Sequence, residues 1–261
     1  MIKLIACDLD GTLLFSEQAK ISDETLGIIE RLIDKGIYFV VASGRPFCNE
    51  YKLFSKIQDR ISYIAENGSI CIHGGKVVSK ITLPEYIIPE IFAEIRNRDD
   101  FAIMISREEG VYIEERNAPF VKLITTVLKY NHFVVADALQ VTDDIMKIAL
   151  KYDTHVDDTK ISTYLSYLKN RFGQHVEITT SGNGWLDFTP LGGNKGVALK
   201  KLTNILDIKL KDCMAFGDNH NDIEMLRLVG HSYAMSNSAP GIIPYAKHTT
   251  NSVDDVLKTL L

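Results

Sequence analysis

The chain has 261 residues, of which 46% are hydrophobic and 24% charged, with only 17 Gly and 7 Pro. Such a composition can bury a core in one large or two modest domains, and it excludes a disordered or fibrous chain. A net charge of −5 with scattered Lys and Arg offers no basic face to nucleic acid. No apolar run approaches the ~20 residues of a membrane span, so neither kind of partner is expected.

The opening run Met1–Asp8 meets an acid too early for a signal peptide. Cys7, Cys48, Cys71 and Cys213 form no C-x-x-C pair and read as small hydrophobes in a reducing, cytoplasmic compartment. Ile2–Cys7 is a short apolar run of the kind that forms a buried parallel strand. Ser22–Lys35 places Leu26, Ile29, Leu32 and Ile33 on one helical face, with Ser22 as N-cap and Gly36 as stop. Ile37–Ala42 returns to a strand, which completes a βαβ unit with parallel neighbours. Asn67-Gly68, between Ile61–Ala65 and Ser69–Ile72, is a hairpin signal and predicts an antiparallel ribbon.

From about Pro84 the rhythm changes. A helix carrying Ile88, Ile91, Phe92 and Ile95 precedes strand-like runs at Phe101–Ser106 and Val111–Glu114. Ile145–Leu150, a helix through Ile161–Phe172 and strands near His175–Thr180 and Trp185–Phe188 follow. Strands and helices without parallel alternation predict a separate α+β domain over 83–189. The alternation resumes with a helix at Lys195–Leu206, a strand at Cys213–Phe216, a helix at Ile223–Val229 and a strand at Ser232–Met235. The expected fold class is therefore α/β. A Rossmann-like core with a mainly parallel sheet flanked by helices, built from 1–82 and 190–261, carries the middle as an insertion. Hinges are expected near Leu83-Pro84 and Pro190–Gly193.

Open parallel sheets bind ligands beyond the carboxyl ends of their strands. Three predicted strands end in polar groups: Cys7 leads into Asp8, Ala42 into Ser43-Gly44-Arg45, and Phe216 into Gly217-Asp218. Acidic clusters converging there call for a cation. Mg²⁺ suits oxygen ligands from Asp8, Asp218 and a backbone carbonyl. Asp8 and Asp10 are two apart in an extended run, so both can face one substrate, one as nucleophile and one handling protons. Asp218–Asp222 begins like a calcium-binding EF-hand loop, but Ile223 stands where that loop requires Gly.

Four motifs now stand in order: Asp8-Leu9-Asp10-Gly11-Thr12-Leu13-Leu14, Ala42-Ser43-Gly44-Arg45-Pro46, Asn194-Lys195-Gly196 and Gly217-Asp218-Asn219-His220-Asn221-Asp222. Together the sequence resembles the haloacid dehalogenase superfamily, in its Cof-type sugar-phosphatase-like branch. The resemblance implies a phosphatase acting on small phosphorylated metabolites, sugar phosphates foremost. Asp8 would form an aspartyl-phosphate, while Asp10 would protonate the leaving oxygen and then activate water. Asp8, the Asp10 carbonyl and Asp218 would hold Mg²⁺. Leu9, Ser43, Gly44, Lys195 and Asn221 would bind the phosphate, and Lys195 would also place its ammonium on Asp8. Asp222 would support the metal shell or orient Lys195.

Arg45 is open between substrate contact and an internal ion pair, Asn67 is accounted for by its turn, and His220 is expected to face solvent. Trp185 is expected in core or at a domain junction. The middle domain resembles a cap that selects the leaving group. The same scaffold serves phosphomutases of the phosphomannomutase type and, without turnover, a phosphate-ligand sensor. A monomer or weak homo-oligomer is expected.

Overall fold

Leu4–Cys7, all four residues buried, form strand β1 at the centre of the larger sheet in the computed structural model, which describes residues 1–14, 20–96, 98, 100–152, 158–180 and 184–261. Helix α1 (Asp23–Asp34) follows. The Ser22 hydroxyl caps it by accepting the Thr25 N–H at 3.0 Å, and Leu26, Ile29 and Leu32 point into the core. Then come β2 (Tyr38–Ala42), α2 (Phe47–Leu53), β3 (Ser62–Ala65), β4 (Ile70–His73) and β5 (Lys76–Lys80).

The middle of the chain supplies α3 (Ile88–Ile95), β6 (Ala102–Arg107), β7 (Gly110–Glu114), α4 (Ala118–Lys122), β8 (His132–Val135), β9 (Lys147–Lys151), α5 (Asp158–Phe172), β10 (Val176–Thr180) and β11 (Trp185–Pro190). It ends with α6 (Lys195–Ile205), β12 (Cys213–Gly217), α7 (Ile223–Leu228), β13 (His231–Met235), β14 (His248–Thr250) and α8 (Val253–Lys258). Contacts divide these elements into two units, Met1–Ser79 with Asn194–Leu261, and Lys80–Gly193.

In the first unit eight strands run in the order β14-β13-β12-β1-β2-β3-β4-β5. From β14 to β3 every pairing is parallel. At β4 the direction reverses, as the Asn67-Gly68 turn predicts. Parallel strands are covered on both faces, and that is why β1, β2 and β12 read as unbroken apolar runs. In register, Cys7 lies opposite both Val41 and Phe216. The residues after β1, β2 and β12 therefore leave the sheet at one edge.

The second unit is a six-stranded sheet, β10-β11-β9-β6-β7-β8, antiparallel except for β7 beside β8. Side chains alternate along β6. Ile103 and Ile105 pack with Ile91, Leu168 and Phe172 from α3 and α5. Met104 faces a second layer with Phe120 and Ile124 from α4 and the π-helical turn Leu123–Val127. Trp185 packs against this second layer, 5.9 Å from Phe120.

Candidate active site

Asp8, Ser43 and Asp218 follow β1, β2 and β12, and all three are buried. Lys195 begins α6, a poor place for a cation because helix N–H groups point at it. Two anions offset that cost. Its Nζ donates to Asp8 Oδ1 at 2.6 Å and to Asp222 Oδ1 at 2.6 Å, with the ammonium 0% exposed. Asp222 is held in turn, since its Oδ2 accepts the backbone N–H groups of Asp218 and Asn219, both at 3.0 Å. Both supporting roles raised for Asp222 have an observation behind them: its Oδ1 holds the Lys195 ammonium, and its carboxylate lies close to those of Asp8 and Asp218.

Asp218 is fixed from the other side by Thr12, whose hydroxyl donates to its Oδ1 at 3.1 Å. Gly11 makes this approach possible. Its φ is +88°, and a Cβ there would lie 2.2 Å from Asp218 Oδ2. Gly11→Ala is therefore expected to displace Asp218. Misplacement of that size costs catalysis on the order of 10²-fold. Steady-state kcat/KM, with circular dichroism as the check on folding, measures it; parental kinetics would refute the steric account.

Asp10 gives both carboxylate oxygens to Arg45. Arg45 grips it with Nε at 2.8 Å from Oδ2 and Nη2 at 2.6 Å from Oδ1, while Nη1 donates to Asn49 Oδ1 at 2.9 Å. Both oxygens of the Asp10 carboxylate are thereby occupied by one guanidinium. Arg45 is thus engaged with Asp10 in this structure. Asn221 is half-buried, with Nδ2 donating to Asn67 Oδ1 at 2.9 Å, and His220 is exposed as expected.

The electrostatics follow from burial. Desolvation, then the Asp222 charge, push Asp8 well above the usual carboxylate range against the pull of Lys195. Asp218 is pushed up to about 6, again by burial first and Asp222 second. Burial pulls Lys195 down, but Asp222 and Asp8 outweigh it and raise its pKa, so it stays cationic. Three buried carboxylates thus face one ammonium. Oxygen atoms of Asp8, Asp218 and Asp222 lie within 4.8 Å of one another. An all-oxygen set with surplus negative charge fits a hard dication.

Several participants carry no signal in the sequence. Asn237 Nδ2 donates to the Gly11 carbonyl at 3.1 Å, and the Ala239 N–H donates to the Asp218 carbonyl at 2.8 Å, both from the loop after β13. Glu50, on α2, is 0% exposed, and neither of its oxygens has a hydrogen-bond partner among the described residues. Burial and then Glu66 push its pKa well above the usual range, with Lys195 and Arg45 opposing.

A carboxyl whose folded pKa is raised stabilises the fold only while protonated. It therefore loses stability as pH rises from the unfolded value through the folded one. Glu50→Gln is expected to match the parent near pH 4 and to unfold at higher denaturant as pH increases. The gain is at most about 1.4 kcal/mol per pH unit over that window. Urea unfolding across pH measures it, and a gain that is independent of pH would refute it.

Against this geometry, the model of haloacid dehalogenase-like hydrolases matches residues 5–260. The chain belongs to that family. It is 27% identical over 266 residues to the 5-amino-6-(5-phospho-D-ribitylamino)uracil phosphatase YbjI of Escherichia coli strain K12, covering 98% of this chain and 97% of the relative. It is 31% identical over 243 residues to an HMP-PP phosphatase of Yersinia pestis, covering 92% and 86%. A crystal structure from Eubacterium rectale superposes with a TM-score of 0.83 at 31% identity, over 100% of this chain and 99% of that one.

Proposed function

We propose that this enzyme is a Mg²⁺-dependent phosphatase that hydrolyses small phosphomonoesters, sugar phosphates foremost, through an aspartyl-phosphate on Asp8. The single observation that carries this reading is the buried Lys195 bridge between Asp8 and Asp222 beside Asp218. It holds one carboxylate at the sheet edge with a cation at its back. Both named relatives are phosphatases, and the Escherichia coli one is named for a phosphorylated ribityl compound.

Asp8, the Asp10 carbonyl and Asp218 would hold Mg²⁺. Bound there, the ion supplies charge neutralisation for the phosphoryl oxygens. The remaining work falls to the chain. An Asp8 oxygen attacks phosphorus as the ester P–O bond breaks, and Asp10, released from Arg45 and protonated, gives its proton to the leaving oxygen. Asp10 then takes a proton from water as the water oxygen attacks phosphorus, which frees Asp8 and inorganic phosphate. Lys195 neutralises charge throughout. Leu9, Ser43, Gly44 and Asn221 orient the phosphate, and the arrangement depends on positioning more than on covalent novelty.

Residues 83–189 are assigned the role of a cap that selects the leaving group. A cytoplasmic setting belongs to this proposal; separately, no described helix is long and apolar enough to cross a membrane. Monomeric or weakly associated protein is the expected state.

A panel of phosphorylated metabolites assayed with Mg²⁺ tests the reading. Free phosphate from at least one sugar or sugar-alcohol phosphate is expected, and isomer formation without phosphate release would overturn it.

A further inference from the structure

Asn67 is explained in the sequence by its turn, and the backbone bears that out: φ is +50° at Glu66, +60° at Asn67 and +106° at Gly68. Yet this turn is not a solvent loop. Asn67 is 3% exposed and Glu66 1%. The Asn67 N–H donates to the Ser43 carbonyl and the Glu66 N–H to the Arg45 carbonyl, each at 3.0 Å. The turn thereby fastens the whole Ser43–Arg45 segment. Positive φ costs a non-glycine residue on the order of 1 kcal/mol, and buried strain of this kind persists where its surroundings hold it.

The side chain adds what a turn does not require. Asn67 Oδ1 accepts from Asn221 Nδ2 at 2.9 Å. The same oxygen lies against Gly44, where a Cβ would come within 2.8 Å of it. An amide nitrogen carries two protons. With one given to Asn67, the orientation of the Asn221 amide is fixed, and its second proton is aimed by that choice. Without an acceptor at Asn67 the amide could rotate and present its oxygen to an anion instead.

We propose that Asn67 is a positioning residue for phosphate recognition: its Oδ1 holds Asn221 with a donor turned to the phosphate, tying the turn after β3 to the loop after β12. The inference rests on the phosphatase reading, in which Asn221 contacts phosphate. It assigns Asn67 a chemical role beyond tolerance of a left-handed backbone.

Glycine at 67 separates these roles, because it keeps the positive φ without strain and removes the amide. The measurement is the affinity for inorganic phosphate, titrated calorimetrically in the presence of Mg²⁺, alongside KM and kcat for p-nitrophenyl phosphate. Asn67→Gly is expected to weaken phosphate binding and raise KM roughly 10- to 150-fold, the worth of one hydrogen bond to a charged group, with a smaller change in kcat.

Asn67→Ala should show the same weakening and serves if the glycine variant folds poorly. In the double variant Asn67→Gly/Asn221→Ala the loss should not exceed that of Asn221→Ala alone, because the two residues act as a unit. Parental affinity in Asn67→Gly, or fold-changes that multiply in the double variant, would overturn the inference while leaving the phosphatase reading intact. Parental affinity in Asn221→Ala would remove Asn221 from the phosphate site and the inference with it. A parent protein that releases no phosphate from any phosphomonoester would count against the phosphatase reading itself.

Discussion

Asp8→Asn is expected to lower kcat by at least ~10⁴-fold, as loss of a nucleophile does elsewhere, while leaving the fold intact. Asparagine keeps the volume and can still accept from Lys195, and the ammonium retains Asp222 at 2.6 Å. Stability should hold or rise. Burial and the neighbouring Asp222 charge hold the Asp8 pKa up, so its ionised form costs folding free energy at neutral pH, and the amide removes that cost. Turnover assayed on a highly purified variant, with thermal unfolding in parallel, reads both halves. Residual activity within tenfold of the parent would remove Asp8 from the chemistry.

The second large effect concerns Lys195. Lys195→Met keeps the unbranched stem of the side chain but leaves Asp8 and Asp222 facing each other without their cation. Removing one partner of a buried ion pair typically costs about 3–5 kcal/mol, and two carboxylates depend on this one. The variant should therefore lose both activity and stability in urea unfolding. Adding Asp222→Asn should restore part of the stability, because one uncompensated buried charge disappears while its amide oxygen can still accept the Asp218 and Asn219 N–H groups. Activity should not return. An unchanged unfolding midpoint in Lys195→Met would show that the bridge carries little of the fold.

Much of this was legible in the sequence because the central strands are apolar runs bounded by turn residues, and the motif residues fall where those strands stop. The Ser22 cap and the Asn67-Gly68 reversal could be placed from residue type alone. Other elements were not visible. Helix α2 spans seven residues behind Pro46, too short to set a helical period, and β8 and β14 are edge strands of four and three residues. The segment Ala118–Val127 joins a short helix to a π-turn, whose spacing matches neither strand nor α-helix.

Within the site, residues that act through their own motif could be found, and residues that act from another element could not. Glu50 looks like any helical glutamate until its burial is known. Arg45 stood between two roles until its fork was seen on Asp10, and Asn67 satisfies its turn so well that its second bond leaves no trace in residue order.

The central claim is that a phosphoryl group passes through Asp8. It is tested most directly by mixing enzyme with Mg²⁺ and a turned-over phosphomonoester, quenching in acid during turnover, and mapping the phosphorylated peptide by mass spectrometry. A phosphoryl group on the Asp8 carboxylate that is released by hydroxylamine and absent from Asp8→Asn is the predicted result. Modification at any other residue, or steady turnover with no phosphorylated enzyme in a quench fast enough to catch a single cycle, would contradict it.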